Sequence, residues 1–281
     1  MRGGRGGSLS GKRVLITGAS GGLGRTVVAF LRGRGARVVG LDLRGGEDIV
    51  RADVTDRKEV EGAVEEAVGR LGGLDVLINN AGIGRAQDAG DFPGREARRT
   101  LEVNLFGAWN VTAAALPRLL ETGGHVVNVA SGLALASVPF AAPYAASKRA
   151  LAAYSDALRL EYAGSITVST VYPMYMKTPI HEVVESQNAS LEGLVREEPV
   201  ERGARAVIVA CEGRRRDVYT GGRASLELAA ARHLPWLVDS YVSRRVAGLA
   251  SRRDLPTFVR RIAGRRLPPG KLSPLHAFRG K

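Results

Sequence analysis

The stretch Thr17-Gly18-Ala19-Ser20-Gly21-Gly22-Leu23-Gly24 decides the fold. Before it lies a short apolar run, Val14-Leu15-Ile16, which reads as a buried strand. After it, Thr26-Val27-Val28-Ala29-Phe30-Leu31 reads as a helix packing back on that strand. Together they gather backbone N–H groups at the positive end of a helix dipole, which makes a seat for a pyrophosphate. Gly18 permits the tight turn, Gly22 lets the backbone approach the phosphates, and Gly24 lets the helix pack close to the sheet. In a chain with 36 glycines among 281 residues such a spacing also arises by chance, so the flanking strand and helix carry the inference.

Downstream the pattern repeats as strand then helix. Ala36–Leu41 is a second strand ending at Asp42, Ile49–Val54 a third, and Asp56–Leu71 a helix. Leu74–Ile78 is a fourth strand, followed by Asn79-Asn80-Ala81-Gly82. Gly94–Glu121 reads as mostly one long helix that Pro117 is expected to kink or shorten. His125–Val129 is a fifth strand, Pro143–Tyr162 a helix, Ile166–Tyr172 a sixth strand, Pro199–Glu212 a helix and Val218-Tyr219 a short last strand. This alternation predicts an α/β, Rossmann-type doubly wound parallel sheet of about seven strands with helices on both faces. Residues 1–10 read as a flexible leader, 11–222 as a nucleotide-binding catalytic domain, and 223–281 as a helical extension with a basic tail.

The net charge of +13 raises the question of a polyanionic partner. Residues 1–13 hold four basic side chains and no acid, and residues 251–281 hold nine and one, which leaves +1 for the body. The charge thus sits on the ends, which read either as solvated arms or as contacts to a membrane surface or another polyanion. Trp236, Leu237, Tyr241, Val242, Val246 and Leu249 share a helical stripe, open to a core or dimer role or to an interfacial one on lipid. No run of eighteen apolar residues suggests a membrane span. Cys211, the one cysteine, lies in an apolar helical pattern, and the expected setting is a reducing cytoplasm, peripheral to a membrane if the tail binds one. No metal site is expected.

Asp42 lies 24 residues after Gly18, at the end of the second strand. A carboxylate there accepts hydrogen bonds from both ribose hydroxyls of an adenosine and repels a 2′-phosphate, which favours NAD over NADP. Arg25 and Arg44 leave NADP open. Tyr144 and Lys148 are four apart and share a helix face, and Ser131 lies thirteen residues before Tyr144 at a strand end.

With its three-then-one glycine spacing, Asn79-Asn80-Ala81-Gly82, Ser131 and Tyr144-xxx-Lys148, the chain is identified as a member of the short-chain dehydrogenase/reductase family, with matches across residues 9–178. The resemblance implies a catalytic set of Asn104, Ser131, Tyr144 and Lys148. It implies cofactor contacts at Gly18, Ser20, Gly22, Leu23, Gly24, Asp42, Asp53, Val54, Asn80, Ala81, Gly82, Tyr144, Lys148, Pro173 and Thr178. Asp53 and Val54 resemble the family's adenine contact, and Thr178 the contact to the nicotinamide carboxamide. Asn104 matches a position that holds a water between the lysine and solvent. The family reads Pro-Gly where this chain has Pro173-Met174. A side chain at Met174 is awkward if that backbone has positive φ, and it crowds the nicotinamide pocket.

Oxidising a secondary alcohol removes a proton from oxygen while hydride leaves carbon. A free tyrosine, with a pKa of about 10, is a poor base at neutral pH. A neighbouring ammonium and the charge of oxidised nicotinamide are expected to favour the phenolate. Ser131 would steady charge on the substrate oxygen. Apolar residues between Tyr175 and Val195, with Leu133, Leu135, Val138 and Phe140, suggest a lid and a pocket for a hydrophobic alcohol or ketone, on the plan of lipid-, retinol- or steroid-acting members. A dinucleotide-sensing protein without turnover is the other class considered. Family members pair as homodimers or homotetramers through helices that correspond here to 95–121 and 143–163.

Overall fold

The computed structural model describes residues 8–176, 197–234, 236, 240 and 244. Seven parallel strands form one sheet in the order β3-β2-β1-β4-β5-β6-β7. They are β1 (Arg13–Thr17), β2 (Arg37–Asp42), β3 (Ile49–Arg51), β4 (Val76–Asn79), β5 (His125–Val129), β6 (Thr167–Tyr172) and β7 (Asp217–Tyr219). Val14, Leu15 and Ile16 are fully buried, as expected for a parallel strand covered on both faces. In register, β1 pairs Leu15 with Val39 of β2 on one side and with Leu77 of β4 on the other.

Helices close both faces. On one, α1 (Gly22–Arg32) and α6 (Val200–Gly213) bury Val27, Leu31, Ala204, Val207 and Ile208 against Val14, Ile16 and Ile78. On the other, α2 (Arg57–Leu71), α4 (Ala108–Thr122) and α5 (Ala142–Glu161) bury Val60, Val64, Val111, Leu119 and Leu151 against Leu15, Leu41, Leu77 and Val126. Local signals bound α2 cleanly. Asp56 accepts the amides of Lys58 and Glu59 at its start, and Gly72 with φ 73° ends it in the left-handed region.

The long helix expected over 94–121 is present as an unbroken helical run from Arg95 to Thr122, with a change of coil in its middle. Gly94 opens α3 (Arg95–Leu101), a π-helical turn covers Glu102–Gly107, and α4 follows. Pro117 stays inside α4 and does not end it. After β7 the chain forms α7 (Gly222–His233), which docks Ala224 and Leu228 with 4% and 3% exposure. The domain edge expected at 222 is thus the start of a packed helix. Within the described residues no helix is long and apolar enough to cross a membrane. Of the leader expected over 1–10, residues 1–7 lie outside the described residues, while Leu9 is 3% exposed and packs in the core. Most of the lid, Thr178, most of the stripe 236–249 and the tail 251–281 also lie outside them.

The strand order reverses direction between β1 and β4. In an open parallel sheet the crevice lies at such a reversal, outside the C-terminal strand ends, so Thr17 and Asn79 mark its floor.

Candidate active site

The crevice is built by two turns bonded to each other. Gly18 follows β1 with φ +66°, and a Cβ there would stand 2.8 Å from the Cα of Ala81. Thr17 Oγ1 accepts the amides of Asn80 and Ala81, both at 3.0 Å. Asn80 Nδ2 donates back to the carbonyls of Thr17 and Gly18 at 3.0 and 3.1 Å. Gly24 is needed for close packing: a Cβ would meet the Gly18 carbonyl oxygen at 2.1 Å. Gly22 and Leu23 open α1, and Gly21 supplies no side-chain cap. The first-turn amides of a helix have no partners within it, and here no side chain takes them, so they fit a phosphate.

Asp42 stands beside this turn. Its Oδ2 accepts the Ser20 amide at 2.9 Å, and Oδ1 lies 3.4 Å from the Arg44 amide. The carboxylate is held at the mouth of the crevice, where an adenosine ribose fits.

Asp53 is less free than expected. Its Oδ1 accepts the amide and hydroxyl of Thr55 at 2.9 and 2.8 Å, and Oδ2 takes Arg99 Nη2 at 2.6 Å. These bonds outweigh the opposing effect of burial and hold its carboxyl below the usual range. An adenine would meet the neighbouring Val54, with 7% exposure, and a carboxylate already engaged.

At the other end of the crevice the catalytic candidates converge. Ser131 ends the segment after β5 with extended backbone and accepts the Leu133 amide at 3.2 Å, capping a short turn over Gly132–Ala134. Tyr144 near the start of α5 brings its phenol beside the Ser131 hydroxyl, which favours its ionised form. Lys148, one turn on, is 3% exposed, and its Nζ donates to the Val129 carbonyl at 2.8 Å and lies 5.9 Å from the centre of the Tyr144 ring. Burial lowers the Lys148 ammonium to about 8.

The expectation that the ammonium brings the phenol down is not met within the chain. Burial pushes the Tyr144 phenol above its ordinary value, and the nearby Ser131 hydroxyl offsets this only in part.

Asn104 sits in the π-helical turn and is fully buried. Its Oδ1 accepts the Ile83 amide at 2.8 Å, while Nδ2 donates to the Ile83 carbonyl and to Ser147 Oγ, both at 2.9 Å. A Cβ on Gly82 would lie 3.2 Å from Asn104 Oδ1 and 3.3 Å from Lys148 Nζ, so these three meet at one point.

Pro173 donates no amide but accepts one, from Gly132 at 2.8 Å, tying the ends of β5 and β6 together. Met174 does not have positive φ, so the strain feared there is absent. Its side chain packs into a small apolar cluster with Ala130, Ala134, Leu135, Tyr172 and Leu228. Positive φ appears instead at Phe140, 63°, on the loop between Ser131 and Tyr144.

The sequence reading gave Thr17 no role of its own and passed over Ile83, Ser147, Arg99 and Arg149. Only Thr17 had a local signal, since it ends the strand beside the glycine turn. The others act through contacts between distant segments.

A family model for short chain dehydrogenases matches residues 12–189, more than half of the chain. The chain belongs to the short-chain dehydrogenase family. This dehydrogenase is an oxidoreductase that works with NAD or NADP. It is 34% identical over 199 residues to oxidoreductase UcpA of Salmonella typhimurium, covering 65% of this chain and 76% of that one. It is 33% identical over 230 residues to the granaticin polyketide synthase putative ketoacyl reductase 2 of Streptomyces violaceoruber, covering 75% and 92%. A short chain dehydrogenase from Burkholderia cenocepacia, solved in complex with NADP, superposes with a TM-score of 0.72 at 29% identity, over 84% of this dehydrogenase and 98% of that chain.

Proposed function

We propose that this dehydrogenase interconverts a hydrophobic secondary alcohol and its ketone, with Tyr144 as the acid and base. The observation that carries this reading is the gathering of the Ser131 hydroxyl, the Tyr144 phenol and the buried Lys148, whose Nζ lies 5.9 Å from the centre of the Tyr144 ring. Nicotinamide, when bound, accepts or supplies the hydride. Tyr144 takes the hydroxyl proton in oxidation and returns it in reduction. Ser131 has one O–H, which favours the phenolate before substrate binds and turns to the substrate oxygen as charge grows there. Lys148 places a positive charge near the phenol and is held by the Val129 carbonyl. Asn104 fixes Ser147 and the Ile83 segment behind the lysine.

The apolar surroundings of the Ser131 turn, with Leu135, Met174 and Leu228, support a hydrophobic substrate. Asp42 supports NAD over NADP. Phe106 and Trp109, 51% and 49% exposed, and Leu160 at 79% support pairing of copies through the helices that carry them.

The test is turnover of a panel of aliphatic and aromatic secondary alcohols with NAD, in wild type and Tyr144→Phe. Turnover by wild type alone, with NAD binding kept in both, is the expected result. No absorbance change at all would favour a dinucleotide-sensing protein without turnover. Equal rates in the two would remove Tyr144 from the mechanism.

A further inference from the structure

Arg149 follows Lys148 on α5, yet its guanidinium has nothing to do with the lysine's surroundings. Nε donates to the Ala134 carbonyl at 2.7 Å, and Nη2 lies 3.4 Å from the Leu135 carbonyl. Both carbonyls belong to the end of the short turn that Ser131 opens. Among the described residues no carboxylate pairs with Arg149, so the two carbonyls are its partners.

The end of a helical turn leaves carbonyls without partners, and a cation there is favourable. Ala134 is 1% exposed, so its carbonyl has little access to water if the arginine leaves. The turn therefore has a fastening at each end. The Ser131 hydroxyl holds the Leu133 amide at the start, and Arg149 holds the carbonyls at the finish. Tyr144 and Arg149 ride on one rigid helix, whereas Ser131 rides on the turn.

We infer that Arg149 is a positioning residue that sets the gap between α5 and the Ser131 turn, and so how closely the Ser131 hydroxyl approaches the Tyr144 phenol. The inference rests on the proposed roles of that pair. Without the guanidinium the turn relaxes, Ser131 Oγ drifts from the phenol, and the phenol loses the hydroxyl neighbour that favours its ionised form.

The experiment compares wild type, Arg149→Met and Arg149→Lys as full chains, with NAD and the fastest alcohol among isopropanol, cyclohexanol and α-phenylethanol. Methionine keeps an apolar stem and no donor, while lysine keeps a charged donor on a single nitrogen. In Arg149→Met, kcat/KM for oxidation at neutral pH should fall about tenfold. The rise of activity with pH should move upward by roughly half a pH unit, the size expected for one modest hydrogen bond. Amides of residues 133–136 should exchange faster, NAD affinity should not change, and Arg149→Lys should fall between. An unmoved pH profile, or a matching loss of NAD affinity, would overturn the inference while the proposed function stands. Should Arg149→Met fail to fold, the pH profile of Arg149→Lys decides alone. Wild type that turns over no alcohol sinks the proposed function first, and this inference with it.

Discussion

The Lys148 Nζ lies 5.9 Å from the centre of the Tyr144 ring, and the Ser131 hydroxyl stands beside the same phenol although it sits on a turn beyond a different strand. Ser131 Oγ serves two groups, because it also accepts the Leu133 amide at 3.2 Å. Removing the phenol oxygen leaves the cofactor crevice intact. Tyr144→Phe should therefore lower kcat by about 10²–10⁴, the usual share of a general acid or base. Fluorescence titration with NAD should give the wild-type Kd.

Burial raises the Tyr144 phenol and Ser131 lowers it. In alcohol oxidation the working form is the phenolate, so rates should climb with pH and ketone reduction should decline. Ser131→Ala removes the lowering contact and should shift both limbs to higher pH. A pH–rate profile that keeps its position in Ser131→Ala would show that the serine does not tune the phenol.

Asp42 Oδ2 is fixed by the Ser20 amide at 2.9 Å. Its charge opposes a 2′-phosphate, and its oxygens suit ribose hydroxyls. Asp42→Ala should raise KM for NAD by about tenfold, the cost of a lost charged hydrogen bond, and improve the use of NADP. Steady-state kinetics with both cofactors measures the ratio.

Two glycines should answer alanine in opposite ways. At Gly24 the new methyl would stand 2.1 Å from the Gly18 carbonyl oxygen, inside the packed start of α1. Gly24→Ala should cost about 1–3 kcal/mol or more and weaken NAD binding. Gly62 lies in α2 with open space around it. Gly62→Ala should add about 0.5–1 kcal/mol. Urea unfolding of the two variants checks both signs.

His125 supplies an acid-sensitive spot far from the crevice floor. Its Nε2 lies 2.8 Å from Ser169 Oγ, and burial, helped by Arg214, pushes it down to about 3. The folded value is below the unfolded one of about 6.5. This contribution is complete above pH 6.5 and is lost as pH falls toward 3, at up to about 1.4 kcal/mol per pH unit. Thermal unfolding should show Tm falling over that window, and His125→Gln should flatten the fall. An unchanged slope would assign the acid sensitivity to other groups.

The parts of the site legible in the sequence are those whose meaning is local. Gly18 and Gly24 declare a turn by spacing, and Tyr144 and Lys148 declare a shared face. The parts that were not legible depend on what distant segments do to each other. Asp53 could not be seen to meet Arg99, since nothing in either neighbourhood names the other. Arg149 binds carbonyls, which every residue offers, so no pattern reveals it. The π-helical turn at Asn104 escaped because six residues are too few to separate its period from that of an α-helix. The direction of the Tyr144 shift required knowledge of burial, which spacing does not supply.

That π-helical turn has a consequence for the length of the chain. Its wider coil takes up one residue more than a straight α-helical path would need, and the surplus falls at Asn104. A one-residue deletion within Glu102–Gly107 lets the segment close into ordinary helix while Ala97 before it and Val111, Ala115 and Leu119 after it keep facing the core. Such a shortened protein is expected to keep its helical run and to lose the asparagine's grip on Ile83 and Ser147.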